Sequence, residues 1–380
     1  MTQNVKTIVL TGGPCSGKTT AMSHLVEYLS GAGIHALVVP ETATTLINAG
    51  IRPWEVGTEA FQESVLFYQS ATEALFKQAA ADIAKTKPVV ILHDRGILDG
   101  AAYCEPAFWE ELTTETGLSH AMERDKRYDA VIHMVTAANG AEKFYTLENN
   151  PARKEGAELA RQLDDRIIRA WTGHPKLRVI DNSTSFQRKL QRVTQEVMSC
   201  IGIPLPIEKE RKFKIQSGSA GQLQKMGLPH NKVRITQTYL LSPDGEERRV
   251  RERMHDTPNS SKSATYSYTV KKPLRAGERI EEEKLIDKET YLALLEQKDP
   301  KLSPIVKDRH YVLHKGTYLE VDVYHNPKLD FEILEVEGSN PPEIPSFVKA
   351  IDVTSDTNYS NRKLAESAAI DQINDTDIDI

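Results

Sequence analysis

The chain has 380 residues, 39% of them hydrophobic and 27% charged, and a formal charge of −6. That length exceeds one ordinary core and suits two domains, while the composition excludes a disordered chain and no apolar run approaches the roughly 18 to 20 residues of a membrane helix. The first ten residues lack the parts of a secretory signal. Three widely spaced cysteines (Cys15, Cys104 and Cys200) make neither a disulfide framework nor a zinc site, so a reducing cytoplasm is the expected location. Residues 368–380 carry Asp371, Asp375, Asp377 and Asp379 with no base and supply −4 of the charge, leaving −2 for the rest. No specific nucleic-acid binding is expected from so small a balance.

The first two hundred residues alternate short apolar runs with longer amphipathic stretches. Thr7–Leu10, Ala36–Val39, Val89–Leu92, Ala130–Val135 and Leu177–Ile180 read as strands, and Gln62–Ile83 and Ala157–Trp171 as helices. Continuous apolar strands between helices predict an α/β domain over 1–203, with a parallel sheet covered on both faces. Gly202-Ile203-Pro204-Leu205-Pro206 breaks the rhythm as a linker. Beyond it the period is two: Ile207–Ile215, Val233–Leu241, Arg248–Arg253, Tyr266–Lys271, Ile305–Tyr311, Tyr318–Tyr324 and Phe331–Glu337 read as strands, with one helix at about Lys288–Gln297. Seven or eight strands at that spacing predict an antiparallel sandwich or closed β-barrel over 207–367. The acidic stretch 368–380 is expected to be a disordered tail.

Gly12-Gly13-Pro14-Cys15-Ser16-Gly17-Lys18-Thr19 fits G-x-x-x-x-G-K-[ST] directly after the first strand. Such glycines let the backbone wrap a phosphate with its N–H groups at the positive end of the next helix. Lys18 would neutralise the β/γ-phosphates and the Thr19 hydroxyl would help hold Mg²⁺, with Thr20 next in line. The alternative is a glycine-rich turn that binds nothing. The third strand ends in Asp94, where an acid would reach Mg²⁺, or would merely cap the next turn. Asp94-Arg95 resembles the pair that small-molecule kinases place near metal and phosphate. Glu41 follows the second strand, as a third catalytic candidate or as a cap for a helix beginning near Thr42. Arg153 and Arg161 lie in a polar stretch where kinases carry a lid, and Asp181 and Asn182 could border the base. No guanine signature stands in the expected place, so GTP and ATP are both open as ligands.

In the second half charges alternate, so residues two apart share a face. The rows are Glu208, Glu210 and Lys212; Arg249, Arg251 and Arg253; Lys271; Arg279, Glu281 and Glu283; Lys307 and Arg309; Glu320 and Asp322; Glu335 and Glu337. Signs are sorted by strand, whereas a solvated sheet would pair opposite signs across neighbours. Residues 207–367 hold 27 basic and 26 acidic side chains, so the sorting is no by-product of net charge. Charges facing into a barrel are costly unless compensated, and phosphate on the bases with divalent cations on the acids would compensate them. A polar tunnel and a set of solvated faces are both open readings.

Taken in order, Glu208-x-Glu210-x-Lys212, Arg251-x-Arg253, Thr269-Val270-Lys271, Arg279-x-Glu281-x-Glu283, Lys307-x-Arg309, Glu320-x-Asp322 and Glu335-x-Glu337 resemble the CYTH or triphosphate-tunnel-metalloenzyme superfamily over about 207–367. Tyr359-Ser360-Asn361-Arg362 is similar to its C-terminal segment. The resemblance implies an eight-stranded antiparallel tunnel that holds triphosphate or organic phosphate with Mg²⁺ or Mn²⁺. Phosphates would lie on Lys212, Arg251, Arg253, Lys271, Arg279, Lys307 and Arg309, and metal on Glu208, Glu210, Glu335 and Glu337. With GGPCSGKT, PETAT and HDRG, the first domain is similar to nicotinamide-riboside-kinase-like P-loop AAA proteins. The two domains in this order resemble the TRPL translocation defect protein family. That implies a nucleotide-binding protein, GTP foremost, with affinity for phosphoinositide-type lipids, peripheral membrane association and a role in membrane trafficking. Lys209 stands where an apolar residue is common and a long polar loop follows Arg253, which leaves triphosphatase turnover open. Three functions follow: a nucleotide-dependent binding or switch protein, a metal-dependent tripolyphosphatase, and a small-molecule kinase.

Overall fold

The computed structural model describes residues 5–145, 156–202, 210–243, 245–255, 263–275, 278–337 and 342–376, with backbone alone at 144, 263, 273–275, 278–280 and 370–376. Arg153 and Glu208 therefore lie outside the described residues, as does the side chain of Arg279. The chain divides into two compact units, Met1–Pro204 and Leu205–Ile380.

In the first unit, β1 (Val5–Thr11), β2 (His35–Val39), β3 (Val89–Asp94), β4 (Ala130–Met134) and β5 (Leu177–Ile180) form a parallel sheet in the order β2-β3-β1-β4-β5. Its helices are α1 (Lys18–Gly31), α2 (Thr42–Asn48), α3 (Pro53–Val56), α4 (Thr58–Ile83), α5 (Pro106–Glu115), α6 (His120–Lys126), α7 (Ala157–Trp171) and α8 (Phe186–Cys200), with a 3₁₀ turn at Ile97–Tyr103. Ile8, Val9 and Leu10 are fully buried, as a strand covered on both faces requires. Leu25 and Leu29 of α1 and Val193 and Val197 of α8 pack on one face with Ile8 and Leu10. On the other, Ala80 of α4 meets Val39, Val89 and Ile91. The helix expected from Gln62 starts earlier, at Thr58, because Gly57 breaks the chain before it with φ 91°. This order puts β1 between β3 and β4, so the carboxyl ends of all three border one crevice.

The second unit is one antiparallel sheet built from β6 (Glu210–Gln216), β7 (His230–Leu240), β8 (Glu247–His255), β9 (Ser263–Arg275), β10 (Glu278–Ile286), β11 (Ile305–His314), β12 (Thr317–Asn326), β13 (Phe331–Glu337) and β14 (Ala350–Asp352). Their order is β10-β9-β8-β7-β11-β12-β13-β6-β14. Among the described residues β10 and β14 are edges, so the closed barrel expected from strand spacing is corrected to an open sheet. The strand pattern also missed β10, whose Glu278–Lys284 run of charges lacks an apolar alternation. Short helices α9 (Ser219–Lys225) and α10 (Lys288–Leu295) follow β6 and β10, and α11 (Asn361–Thr376) closes the chain. The backbone of α11 is helical through Thr376, and residues 377–380 of the expected tail lie outside the described residues. Phe213, Val312, Leu319, Val321, Leu334 and Val336 pack on Leu223 of α9 from one face of the sheet. The ionic rows occupy the other.

Candidate phosphate-binding sites

The chain leaves β1 at Thr11 and enters α1 at Lys18, which sets the loop at the carboxyl end of the central strand. Asp94 is close by, since the register pairs it with Leu10. Gly12 has φ 138°, and a Cβ there would stand 2.0 Å from the Met134 carbonyl oxygen, so only glycine fits. Further contacts fix the loop from β4 and its helices. The Gly13 N–H donates to Asp164 Oδ1 at 2.6 Å, and that oxygen is 3.1 Å from His133 Nε2. Thr136 Oγ1 donates to the Pro14 carbonyl, and Lys189 Nζ to the Ser16 carbonyl at 3.2 Å. Sequence reasoning missed Asp164 and Lys189; a charge on the buried side of an amphipathic helix was the available signal.

Lys18 is buried and folded back on the loop, donating from Nζ to the carbonyls of Gly12 (2.9 Å) and Gly13 (3.2 Å) and to Ser16 Oγ (3.2 Å). Burial, then the nearby Arg95 cation, lowers its pKa to about 8. Cys15 adopts φ 56°, and Thr19 and Thr20 begin α1 exposed. Arg95, itself at φ 74°, donates to Glu41, to Asp99 Oδ2 at 3.3 Å and to the Gly12 carbonyl at 3.3 Å. Glu41 occupies the N-cap position of α2, but its side chain makes no capping bond there and is paired with Arg95, and its Oε2 accepts from Thr44 Oγ1 at 2.6 Å. Burial opposes its ionisation, but Arg95 and Lys18 hold its carboxyl down at about 2.

Asp94 is pushed the other way, upward, by burial and by the carboxylates of Glu41 and Asp99, against Lys18 and Arg95. Its Oδ1 is buried with no hydrogen-bond partner. A buried carboxylate oxygen left without a donor beside a phosphate loop suits a hydrated Mg²⁺, and the hydroxyl of Thr19, near the start of α1, is the second group that would hold it. The other candidates brace neighbouring loops: Arg161 donates to the Ala138 carbonyl at 2.6 Å and Asn182 to those of Thr136 (2.8 Å) and Asn139 (2.7 Å). Asp181 is paired with Arg192 at 2.6 Å.

In the second unit, register brings the motif residues onto one face. Arg253 opposes Ile235, Ile235 opposes Lys307, and Lys307 opposes Tyr324. Arg309 opposes Asp322, Glu320 opposes Glu335, Glu335 opposes Lys212, and Glu337 opposes Glu210. Arg251 opposes Gln237, and Lys271 opposes Glu281 on the far hairpin. Directly opposed residues in an antiparallel pair share a side, so these charges form a continuous field that the sequence had split into strands.

Two clusters emerge. In the first, Arg309 donates to both oxygens of Asp322 at 2.7 Å and to Glu320 and Glu335, while Lys307 Nζ meets Asp322 at 2.5 Å. Lys212 Nζ lies 2.9 Å from Glu335 and 3.6 Å from Glu210. In the second, Arg249 and Lys271 meet Glu281 at 2.8 and 3.3 Å, Arg251 approaches Glu283 at 3.5 Å, and Arg253 donates to the Tyr311 hydroxyl at 2.6 Å. Lys307 and Asp322 are fully buried, while Glu337 at the strand end is exposed. The solvated-face reading fails for the buried members, but the charges do not simply await external ions: opposite signs from different strands neutralise one another.

The electrostatics follow. Burial, then Arg309, lowers Lys307 to about 8 against the pull of Asp322. Burial raises Glu320 to about 7, helped by Glu337, Glu335 and Asp322 and opposed by Arg309. Burial also works on Glu335, yet Lys212 and Arg309 keep it well below the usual carboxylate range. Among the described residues no three His, Cys, Asp or Glu side chains are grouped to hold a metal ion. Of the expected metal set, Glu210 and Glu335 share the Lys212 ammonium. In this arrangement those two carboxylates already hold a cation.

Residues 7–189 match the family model of an AAA domain and residues 206–368 that of a CYTH domain. The chain carries an AAA-type P-loop domain followed by a CYTH domain, and the pair supports binding of nucleotide or of phosphorylated small molecules. No curated protein matches the sequence. Among solved structures, the PH1012 protein from Pyrococcus horikoshii OT3 is similar at 21% identity, covering 35% of this chain and 80% of its own, with a TM-score of 0.27. A conserved hypothetical protein from Pyrococcus furiosus is similar at 17% identity over 44% of this chain and 88% of its own, with a TM-score of 0.26. Among the described residues no helix is long and apolar enough to cross a membrane.

Proposed function

We propose that the chain is a nucleotide-dependent binding protein. The P-loop unit holds GTP or ATP on residues 12–20, with Lys18 on the phosphates and Thr19 and Asp94 toward Mg²⁺. The second unit holds a ligand with clustered phosphates on Arg251, Arg253, Lys271, Lys307 and Arg309. One observation supports the second half most: three strands, β8, β9 and β11, place these basic side chains on a single, largely buried face, where a phosphate would meet several guanidinium and ammonium groups at once. A free triphosphate and a phosphoinositide headgroup share that chemistry, and the second would tie the protein to membrane surfaces and trafficking.

Calorimetric titration of the full chain tests this. Lys18→Ala is expected to abolish GTP and ATP binding while tripolyphosphate still binds, and Arg251→Ala to do the reverse. Unchanged nucleotide affinity in Lys18→Ala refutes the first half, and unchanged tripolyphosphate affinity in Arg251→Ala the second. Capture of vesicles containing phosphoinositide, in preference to tripolyphosphate, identifies the lipid source.

A second reading, phosphoryl transfer to a small acceptor, draws on the Glu41–Arg95–Asp99 network beside the loop. It requires ADP formation that depends on an added nucleoside and is lost in Asp94→Asn. Phosphate release from tripolyphosphate that survives Lys18→Ala but not Glu210→Ala would instead assign turnover to the second unit.

A further inference from the structure

Helix α4 buries one side and leaves the other bare. Phe61, Gln62, Leu66, Gln69, Glu73 and Ala80 are buried against the first unit. On the far side Phe67, Tyr68 and Leu75 are 56%, 44% and 63% exposed, with Ala71 and Ala74 exposed between them. At 100° per residue these five fall within about a third of the helix circumference. No charged residue stands in that band between Glu63 and Asp82. Charge gathers at its two ends and differs in sign. Glu59 and Glu63 are exposed at the start, Glu55 before them being paired with Arg52 at 3.0 Å; past the end Lys85 is paired with Asp82 at 2.7 Å, which leaves Lys87 exposed there.

We propose that this face pairs with the same face of a second copy of the chain, antiparallel, about a two-fold axis near Ala71. In that arrangement Phe67 of each copy meets Leu75 of the other, and the small Ala71 at the crossing lets the helices approach closely. The acidic start of each α4 faces the basic end of its mate, and the opposed helix dipoles attract. A two-fold contact must be complementary to itself, and a band that is apolar in the middle and opposite in charge at its ends meets that condition only when antiparallel. The charge pattern argues against a lipid surface as the occupant. Helices that lie on anionic membranes flank their apolar side with Lys and Arg, whereas two glutamates, Glu59 and Glu63, stand in the first half of this one.

Sedimentation of the full chain at micromolar concentration tests the pairing. The expected species has twice the 42.6 kDa chain mass. Leu75→Glu and Phe67→Glu are each expected to weaken association by about a hundredfold or more, since each would bury an unpaired charge at the centre of the contact. Unchanged nucleotide binding and thermal unfolding in the monomeric variants show that they fold. Oxidation should cross-link Ala71→Cys to itself, and Phe67→Cys to Leu75→Cys in a mixture. A monomeric unsubstituted chain overturns the proposal, as does a dimer indifferent to Leu75→Glu. Cross-linking of Phe67→Cys to itself in preference to Leu75→Cys rejects the antiparallel geometry. Self-association that is absent while vesicles of phosphatidylserine bind, and release on Leu75→Glu, gives the face to a membrane instead.

Discussion

Replacing Asp322 by alanine asks whether the ionic face supports itself before any anion arrives. The carboxylate is fully buried and accepts from Lys307 Nζ at 2.5 Å and from two nitrogens of Arg309 at 2.7 Å each. Removing one partner of a buried ion pair typically costs roughly 3–5 kcal/mol, because the remaining charge stays desolvated. Two features place this site at the lower end. Lys307 already has its pKa lowered to about 8, so near neutral pH it sheds its proton readily once the counter-ion is gone. Arg309 cannot shed one, but keeps Glu320 and Glu335. A loss of about 3 kcal/mol is expected, which in a unit of this size lowers the melting point by about 6–12 °C. Calorimetric unfolding of the full chain reads it. Asp322→Ala combined with Lys307→Met should recover part of the loss, since it removes the stranded cation with its partner. Millimolar pyrophosphate should raise the melting point of Asp322→Ala more than that of the unsubstituted chain, because the released cations accept it. A loss within about 0.5 kcal/mol, the value for an exposed pair, refutes the reasoning.

The other predictions concern protonation and loop geometry. Glu320 has its pKa raised from 4.5 to about 7, so between those values the folded chain keeps a proton the unfolded chain has lost, and stability falls as pH rises through the window. Glu320→Gln cannot ionise, so its stability relative to the unsubstituted chain should improve from about pH 5 to about pH 7.5, by on the order of 3 kcal/mol at most. Urea unfolding at the two pH values checks this, and an unchanged difference rejects it. Asp164→Ala leaves the Gly13 N–H without its acceptor and should weaken nucleotide binding about tenfold, within the roughly 1–3 kcal/mol of an unsatisfied buried donor. Asp164→Asn keeps an acceptor oxygen and should restore most of the affinity; tripolyphosphate binding, assigned to the other unit, should not move in either variant.

Local patterns were legible wherever the chemistry is local. The loop from Gly12 to Thr19 could be read from spacing because its motif residues are consecutive, and the parallel strands could be read because burial on both faces leaves unbroken apolar runs. Glu41 was ambiguous for the opposite reason: its partner Arg95 stands 54 residues away, and nothing near Glu41 distinguishes a cap from an ion pair. Asp164 and Lys189 reach the loop across 151 and 173 residues, so helix periodicity could mark them as inward-facing but not say against what. Closure was misjudged because strand spacing reports the number and length of strands, whereas a barrel is decided by hydrogen bonding between the first and last of them.

The ionic face shows how the missing information changes the chemistry. Alternation correctly put Lys307 with Arg309 and Glu320 with Asp322 on one side of their strands, and sorting by sign suggested rows of like charge waiting for guests. Strand order then brings β11 against β12, and β13 against β6, so a basic row lies beside an acidic one and the two satisfy each other. A phosphate entering this field therefore competes with carboxylates already in place. Its binding energy is the difference between two sets of charge-assisted bonds, and each guanidinium it captures leaves a carboxylate that must be protonated, solvated or neutralised by another cation. Glu320, already half way to protonation near neutral pH, is the carboxylate that yields most easily. Glu335, held by both Lys212 and Arg309, yields less easily than Glu320. The order in which these acids let go, rather than the count of arginines, sets how tightly the face can hold an anion.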